Sequence, residues 1–508
     1  LIGHKFTLIG YHSRSYYRDP IKRQCLIPRS DPVLTPSGRQ HLGRIPFCTG
    51  DAASCNRARA APLRQRLRAL HPMSWQAMLR LDSEKEISMS ELDQTKLSVF
   101  SPQVRNYALG VLVVVYTFNF IDRQILSILL EPIKQDLGLS DTALGMLTGF
   151  AFALFYATLG IPIARLADRG NRRNIIAGAL TIWSVMTALS GLAQNFWHLL
   201  IARIGVGVGE AGCSPPAHSM IADYFPAENR ATALGIYALG IPVGILFGFI
   251  AGGWINEFFG WRIAFFVVGV PGILLAIVVR WTLREPERGM AEGKQASAEQ
   301  PGVMETFTYL WKKRSFRHMA VGGGLTAFVG YGIVTWVPSF LMRSYGMQTG
   351  EIGTYLGLIL GIPGGIGIAL GGYLADRYGA KDKRWYLWVV SVALVLAVPL
   401  TVGVYMSNSA TASLLFLIMP VLLGNFYQAT TFSQAQGLVP LRMRAVAAAV
   451  LLFILNIIGL GAGPQVVGIL SDLLQSSYGD ESLRYALLIV CLVNLWAAYH
   501  YFVAGKYL

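Results

Sequence analysis

Long apolar runs recur along the chain from residue 104 to near its end. Each run is close to the ~20 residues that a helix needs to cross the hydrocarbon core of a bilayer. They predict twelve transmembrane helices: α1 at 104–129, α2 at 142–164, α3 at 174–194, α4 at 197–222, α5 at 231–254, α6 at 263–283, α7 at 318–341, α8 at 350–374, α9 at 385–405, α10 at 412–437, α11 at 444–471 and α12 at 484–504. Gly and Pro predict breaks in α4, α5, α8 and α11, which membrane helices tolerate when neighbouring groups satisfy the freed backbone.

Composition supports a polytopic membrane protein. Of the 508 residues, 53% are hydrophobic and 14% are charged, against about 25% charged in an average soluble domain. This excludes a disordered or fibrous protein and argues against a soluble enzyme. Five cysteines at irregular spacing give neither a disulfide framework nor a zinc pattern, so we expect no metal and no cofactor.

Most of the net charge of +15 lies in a basic N-terminal extension. Residues 1–80 hold 14 Lys and Arg against three acidic residues. We interpret residues 1–103 as a disordered or non-native extension, with Met89 as the candidate native start. A targeting peptide or a contact with anionic lipid is the alternative. Nucleic-acid binding is not expected, because aromatic and basic residues are not interleaved there.

The loops between the predicted helices differ sharply in charge. One set carries 19 Lys and Arg, and the other carries 4. The positive-inside rule makes the first set cytoplasmic, which places both termini in the cytoplasm, and this arrangement suits a bacterial inner membrane. A charged linker at 285–316 separates a first half, 104–284, from a second half, 317–508.

The two halves repeat three landmarks in the same order, about 210 residues apart. The copies are Asp168-Arg169 with Asp376-Arg377, Pro226 and Arg230 with Pro440 and Arg444, and Pro242 with Pro464. Two parallel repeats with a binding site between them near the bilayer midplane form a common plan of secondary transporters.

The segment Gly372-Tyr-Leu-Ala-Asp-Arg-Tyr-Gly379 resembles the cytoplasmic signature of the major facilitator superfamily, and the resemblance covers residues 104–504. It implies an all-α integral membrane fold with 12 transmembrane helices in two pseudo-symmetric six-helix bundles. The first-half copy departs from the signature at Ala164, and Asn171 is expected to preserve its turn in a left-handed conformation.

The same resemblance implies a cytoplasmic gate that holds the outward-facing state. The gate residues would be Asp168, Arg169, Asp376 and Arg377. The alternative is that these charges only establish the topology.

Four charges lie inside the predicted helices: Asp122 and Arg123 in α1, and Arg203 and Glu210 in α4. Each costs about 2.5–3.5 kcal/mol on insertion scales, so they require pairing or a water-filled cavity. The seven-residue spacing in α4 separates its two charges by about 10.5 Å. We therefore expect each to meet a charge of α1 rather than the other.

A carboxylate beside an arginine stays ionised, and it takes up a proton once it is unpaired in an apolar setting. Glu210 is the first candidate for proton coupling and Asp122 the second, with Arg203 and Arg123 as charge partners or anion-binding groups. A static salt-bridge network is the alternative. His218 is a possible second proton site or a hydrogen-bonded residue at a helix end.

Two short sequence segments narrow the resemblance to one subgroup of the superfamily. Asn119-Phe-Ile-Asp-Arg123 and Arg203-Ile-Gly-Val-Gly-Val-Gly-Glu210-Ala are similar to those of spinster-like transporters. This implies that the matching Asp, Arg and Glu are coupling residues and that the substrates are lysolipids or sphingosine phosphate. An Asp-Arg pair with Glu210 and Pro215 also marks proton-linked organic-anion symporters.

The second half offers polar and aromatic groups for an opposite cavity wall. They are Tyr331, Trp336, Asn425, Tyr427, Gln428 and Asn456. Interhelical hydrogen bonding is the alternative for each. A cavity with one charged wall and one apolar-aromatic wall would suit an amphipathic substrate with an ionic head.

Two motifs that suggest other functions are rejected. Gly207-x-Gly209-x-x-Gly212 matches a dinucleotide fingerprint but lacks the preceding strand, and close helix packing explains it better. His218 and Asp223 have an acyltransferase-like spacing that is common by chance. We therefore predict no enzymatic activity.

The sequence thus predicts a monomeric, proton-coupled secondary transporter that moves lysolipid-like amphipathic anions across a bilayer by alternating access. The alternative is a proton:organic-anion symporter for a small carboxylate. A second alternative is an uncoupled membrane facilitator or a receptor.

Overall fold

The computed structural model describes residues 100–290 and 302–508, and the regular structure there is helical throughout. The predicted extension at 1–103, including the candidate start Met89, lies outside the described residues except for its last four.

The first six helices form the N bundle. Their bounds are α1 Pro102–Leu137; α2 Asp141–Gly145, a π turn Met146–Phe150 and Ala151–Arg169; α3 Arg172–Ser190; α4 Phe196–Glu210 and Ser214–Tyr224; α5 Ala227–Ala238 and Gly240–Phe259; and α6 Trp261–Thr282.

A short linker helix, Val303–Trp311, precedes the six helices of the C bundle. Their bounds are α7 Arg314–Tyr345; α8 Thr349–Gly379; α9 Trp385–Met406; α10 Ala410–Gly424 and Tyr427–Gly437; α11 Arg444–Leu455, a π turn Asn456–Ala462 and Gly463–Tyr478; and α12 Ser482–Cys491 and Val493–Lys506.

Local chemistry explains where several helices begin and end. Ser101 accepts a hydrogen bond from the Val104 amide and Pro102 occupies the first turn of α1, a favourable start for a helix. Gly138 ends α1 at a φ of 61°, which a glycine adopts without strain. Asn171 caps α3 from an extended conformation with φ at −81°, so the left-handed turn expected there is wrong.

The predicted breaks are present in three of the four helices. α4 is interrupted between Glu210 and Ser214, α5 at Leu239, and α11 by its π turn. The break predicted in α8 is wrong, because that helix runs continuously through Pro363. Unpredicted interruptions occur in α2, at its π turn, and in α10 and α12.

Within the described residues, nine helical stretches are long and apolar enough to cross a membrane, judged by length and composition alone. One of them, Arg444–Lys506, has 63 residues and contains both α11 and α12. α3 and α4 are not among the nine: α3 begins with two arginines, and α4 is interrupted after Glu210. Twelve helices are consistent with these observations.

In the described part of the chain, the hydrophobic cores show that the two bundles pack against each other mainly at one end. We call the end where α1 finishes and α2 begins the closed end, and the opposite end the open end. A single core at the closed end contains residues of both bundles, including Phe249, Phe265, Trp336 and Phe340. Towards the open end the N bundle and the C bundle have largely separate cores.

Glycines bring α5 and α8 together at the closed end. A Cβ on Gly253 would collide with the Thr349 carbonyl, and one on Gly357 would lie 2.9 Å from the Leu246 carbonyl. The approach widens at Gly361, whose Cβ position is 3.3 Å from the Pro242 carbonyl. Side chains nearer the open end, such as Ile236, Ile366 and Leu370, are exposed.

Candidate functional site

The four predicted intramembrane charges lie together in the N bundle. Asp122 and Arg123 are consecutive on α1 and therefore point in directions about 100° apart. Asp122 is 2% exposed, whereas the Arg123 side chain is 11% exposed. Arg203 and Glu210 of α4 are both buried.

Arg123 pairs with Glu210 across the interface of α1 and α4. Its Nε donates to Oε2 of Glu210 at 2.5 Å, and the Glu210 side chain has no exposure. The guanidinium also lies over the Tyr156 ring, 4.5 Å from its centroid, and 5.1 Å from those of Phe120 and Phe152. Such contacts stabilise a cation in a poorly hydrated place.

Asp122 forms the second pair, with Arg203. The Thr187 hydroxyl of α3 donates to Asp122 Oδ1 at 2.6 Å, and Arg203 Nη1 is 4.0 Å from the same oxygen. Arg203 lies 5.3 Å from the centroid of Phe152, the ring that Arg123 also contacts. The pairing of α1 with α4 expected from the sequence is therefore present in the structure.

The cluster retains unused hydrogen-bonding capacity. Among the described residues, Arg203 Nε and Glu210 Oε1 are buried without a short hydrogen bond, and the Asn119 amide interacts with Glu210. Buried polar atoms are normally satisfied, and exceptions need an explanation. The site can therefore accept further polar groups without first losing its existing pairs.

The glycines of α4 allow the close packing that positions these charges. A Cβ on Gly207 would lie 2.9 Å from the Phe152 carbonyl, and one on Gly209 would lie 2.7 Å from the Trp183 amide nitrogen. Gly212 meets the Ala179 methyl in the same way. The three glycines are thus packing positions on a helix, as the sequence indicated.

Tyr331 of α7 connects the charged cluster of the N bundle with the C bundle. It packs against the cores of both bundles and interacts electrostatically with Arg123, as does Tyr156. Tyr427 is buried and interacts with Tyr331. We call Tyr331 and Tyr427 the aromatic wall of the C bundle; Tyr331 is the member that also packs against the core of the N bundle.

The other predicted cavity residues make interhelical or local contacts. Trp336 is fully buried and its indole N–H donates to the Pro464 carbonyl at 2.8 Å, so it belongs to the closed-end core. Asn425 donates to the Val421 carbonyl of its own helix and accepts from Gln428. Asn456 is buried in the π turn of α11.

His218 is exposed, and its ring lies edge-on to Tyr237 with centroids 5.3 Å apart. Asp223 binds Arg172, so the spacing of His218 and Asp223 does not reflect a catalytic dyad.

Three of the predicted gate residues have side chains that the structure describes, and these three lie exposed at the open end. Arg169, Asp376 and Arg377 are exposed, and Arg377 donates to the Tyr373 hydroxyl at 3.1 Å. The side chain of Asp168 lies outside those that the structure describes. Their role as a lock stays a prediction, and it concerns the state in which this end is closed.

Sequence reasoning missed Arg172, which it counted only as a loop charge. The side chain has no exposure and donates to Glu285 at 2.7 Å, Ser219 at 2.9 Å, the Pro286 carbonyl at 2.7 Å, and Asp223. Burial disfavours the charge, but the two carboxylates outweigh it and raise the pKa of Arg172. The group fastens the start of the linker to α3 and α4.

Arg343 was also missed, since it was counted only as a loop charge on the less basic side. It lies at the closed end and contacts Glu131 and Asp141 of the other bundle. No local pattern signals this contact, because its partners are about 200 residues away.

Comparison with known proteins identifies the family. The profile of the Major Facilitator Superfamily matches residues 112–464. An MFS-type efflux pump of Mycolicibacterium smegmatis is 37% identical over 403 residues, which cover 78% of this chain and 92% of the pump. Protein spinster homolog 1 of Xenopus tropicalis is 28% identical over 404 residues, 74% of this chain and 76% of that protein.

A solved structure agrees with this assignment. It is the crystal structure of a bacterial homolog to the human lysosomal transporter Spinster, in an inward-facing and unoccupied conformation. The match has a TM-score of 0.75 and 33% identity, and it covers 80% of this chain and 98% of that one. The chain is therefore an integral membrane transporter, not an enzyme, and it belongs to the Major Facilitator Superfamily as a spinster-like member.

Proposed function

We propose that the protein is a proton-coupled secondary transporter of lysolipid-like amphipathic anions that works by alternating access. The observation that carries this proposal is the Arg123–Glu210 pair. Its arginine is partly exposed and faces the aromatic wall of the other bundle, while its carboxylate is fully buried.

The pair supplies a simple coupling mechanism. An anionic headgroup that binds Arg123 competes with Glu210 for the guanidinium. Glu210 would then be a buried carboxylate without its strongest partner, a situation that favours proton uptake. Anion and proton would bind together and leave together, while Asp122 keeps Arg203 neutralised in the neighbouring pair.

The surroundings suit an amphipathic substrate. The charged wall of the N bundle can hold the headgroup, and Tyr331 and Tyr427 offer apolar surface opposite. The exposed apolar side chains of α5 and α8 beyond Gly361 provide a route by which a hydrocarbon tail could extend towards the bilayer. The resemblance of the α1 and α4 segments to spinster-like transporters implies the same substrate class.

The second candidate is a proton symporter of a small carboxylate. The Asp-Arg pair of α1 and the sequence from Glu210 to Pro215 favour it. Such a substrate needs a closed pocket lined with several free amides. In the described part of the C bundle, Asn425 and Gln428 instead hydrogen-bond to each other, so the lipid assignment is preferred.

We place both termini in the cytoplasm of a bacterial inner membrane and expect a monomer. The asymmetric loop charge supports the orientation. The open end would then face the cytoplasm, in agreement with the inward-facing conformation of the similar solved structure.

The test is reconstitution of the full chain in liposomes with a labelled lysophospholipid under an imposed pH gradient. Glu210→Gln removes the proposed proton carrier. Asp136→Asn is the matched control, because it removes a carboxylate from an exposed ion pair with Arg262. We expect gradient-driven transport in the wild type and the control, and loss of the gradient dependence in Glu210→Gln.

Two other outcomes would contradict the proposal. Lipid movement that ignores the gradient and survives Glu210→Gln would indicate a facilitator whose buried charges are structural. Absence of lipid movement, combined with proton-driven uptake of a small organic acid, would establish the symporter.

A further inference from the structure

The closed end holds a second charge cluster, which the transport mechanism above does not use. Its centre is Arg343 at the end of α7. Nη1 and Nη2 donate to the two carboxylate oxygens of Asp141, and Nε donates to Oε2 of Glu131, each at 2.7 Å. All three guanidinium nitrogens of a C-bundle residue are therefore bound by carboxylates of the N bundle.

This cluster is shielded from solvent. Asp141 has no exposure, Glu131 has 8%, and the Arg343 side chain has 9%. Ion pairs that are removed from water are costly to separate, because the charges left behind lose their partners in a place of low polarity. The contact therefore opposes separation of the bundles far more than an exposed ion pair would.

α11 of the C bundle also binds the first turn of α2, where Asp141 lies. The Asp472 carboxylate accepts the amide hydrogens of Asp141 at 3.1 Å and Thr142 at 2.8 Å. It thereby caps the N-terminus of α2, a favourable position for an anion. The Ser471 hydroxyl donates to Asp141 at 2.6 Å, so α7 and α11 both hold the first turn of α2.

Opening this end would affect the partners unequally. Asp141 would keep Lys134, which donates to it from the same bundle at 2.7 Å. Arg343 would lose both carboxylates, while the nearby C-bundle acid Glu481 already binds Arg484. Glu131 would lose Arg343, and Asp472 of the C bundle would lose the amide hydrogens of α2. Separating these groups would penalise the state in which the closed end is open.

We propose that Arg343, with Asp141 and Glu131, forms a gate that keeps this end shut and sets how often the transporter opens there. Arg343 acts as a positioning residue of the transport cycle and has no contact with substrate. The inference rests on alternating access but not on the substrate or on proton coupling.

The experiment measures distances between the bundles at this end. Spin labels would be placed at Gln194 and Asn408, exposed residues of the α3–α4 and α9–α10 connections, in the full chain with its five cysteines replaced by alanine. Distance distributions in lipid nanodiscs report the two states by pulsed electron resonance. Arg343→Gln should raise the ratio of open to closed molecules at least about fivefold, the lower bound of typical conformational couplings.

Arg484→Gln is the matched control. It removes an arginine from the same end of the same bundle, but its partner Glu481 lies within that bundle, so the distribution should remain that of the wild type. The double variant Glu131→Gln/Asp141→Asn removes the gate from the other side and should shift the distribution as Arg343→Gln does.

The proposal is overturned if Arg343→Gln and the double variant remain folded and give the distribution of Arg484→Gln. The measurement uses neither substrate nor a pH gradient. Its failure can therefore be distinguished from failure of the lipid or proton assignments, which the liposome assay tests.

Discussion

Two arginines of the N bundle, one fully buried and one partly exposed, show how differently a charge can be used. Arg172 has no exposure, and its donors are taken up by carboxylates, a hydroxyl and a carbonyl. Arg123 has one carboxylate partner, and aromatic rings cover its faces. The first arrangement leaves nothing to bind and fastens the fold, whereas the second can exchange a protein partner for a ligand.

Removing Arg123 alone should destabilise the protein more than removing Arg123 and Glu210 together. Arg123→Gln leaves Glu210 buried and uncompensated, which typically costs about 3–5 kcal/mol. Adding Glu210→Gln removes that charge, so the double variant should be more stable than Arg123→Gln alone. Thermal unfolding of all four proteins in detergent measures the coupling; effects that simply add would show that the pair makes no energetic contribution.

The charged cluster of α1 and α4 could be predicted from the sequence, whereas the cluster around Arg343 could not. Asp122, Arg123, Arg203 and Glu210 stand out because each interrupts an apolar run. Arg343 and Asp141 lie at helix ends, where charges are ordinary, and their importance arises only from a contact between distant parts of the chain. A charged residue points to a functional or structural site when it stands within an apolar helix, but not when it stands at a helix end.

Helix positions follow from hydropathy, but helix ends do not. α1 was expected to finish at 129 and continues to Leu137. The extra turns carry Glu131, Lys134 and Asp136, which resemble loop residues until their ion pairs with other helices are known. The break expected in α8 failed for a related reason: a proline alone does not determine whether neighbouring turns stay helical.

Glycine contacts between α3 and α4 give a test at this scale. A Cβ on Gly209 would lie 2.7 Å from the Trp183 nitrogen, whereas one on Gly178 of α3 would meet nothing within 4 Å. Gly209→Ala should therefore destabilise by about 1–3 kcal/mol through overpacking. Gly178→Ala should be neutral or stabilising by up to about 1 kcal/mol, because alanine suits a helix better.

Unfolding midpoints of the two glycine variants in detergent check this expectation. Equal midpoints would mean that α3 and α4 are not in close contact around the charged cluster.

At the scale of the whole molecule, the hydrophobic cores define the conformation. The two bundles share one core at the closed end and have largely separate cores towards the open end. The two-bundle plan was accessible from the internal repeat and from loop charge. The choice of which end is closed was not, because an alternating-access protein must be able to form both sets of contacts with one sequence. The structure supplies that choice through residues such as Phe249 and Phe340, which complete the shared core.

The proposed orientation can be checked by labelling. In intact bacterial cells that express the chain without its native cysteines, Asn408→Cys at the closed end should react with a membrane-impermeant maleimide. Lys381→Cys, exposed in the α8–α9 connection at the open end, should react only after the cells are permeabilised. The reverse pattern would invert the topology and contradict the positive-inside assignment.

The π turns of α2 and α11 have a consequence for the phase of the two helices. In a regular α-helix, a step of four residues overshoots a full rotation by about 40°, so a row of every fourth residue winds away from its neighbour. A π turn, with its i→i+5 bonds, corrects this drift. Asp141, Gly145 and Gly149 can therefore all face α11, where their counterparts are Gly468, Pro464 and Leu460-Gly461. Deleting one residue from the π turn of α2 would allow ordinary i→i+4 bonds there, so the drift of about 40° for every four residues would return. The row that starts at Asp141 would then wind away from α11.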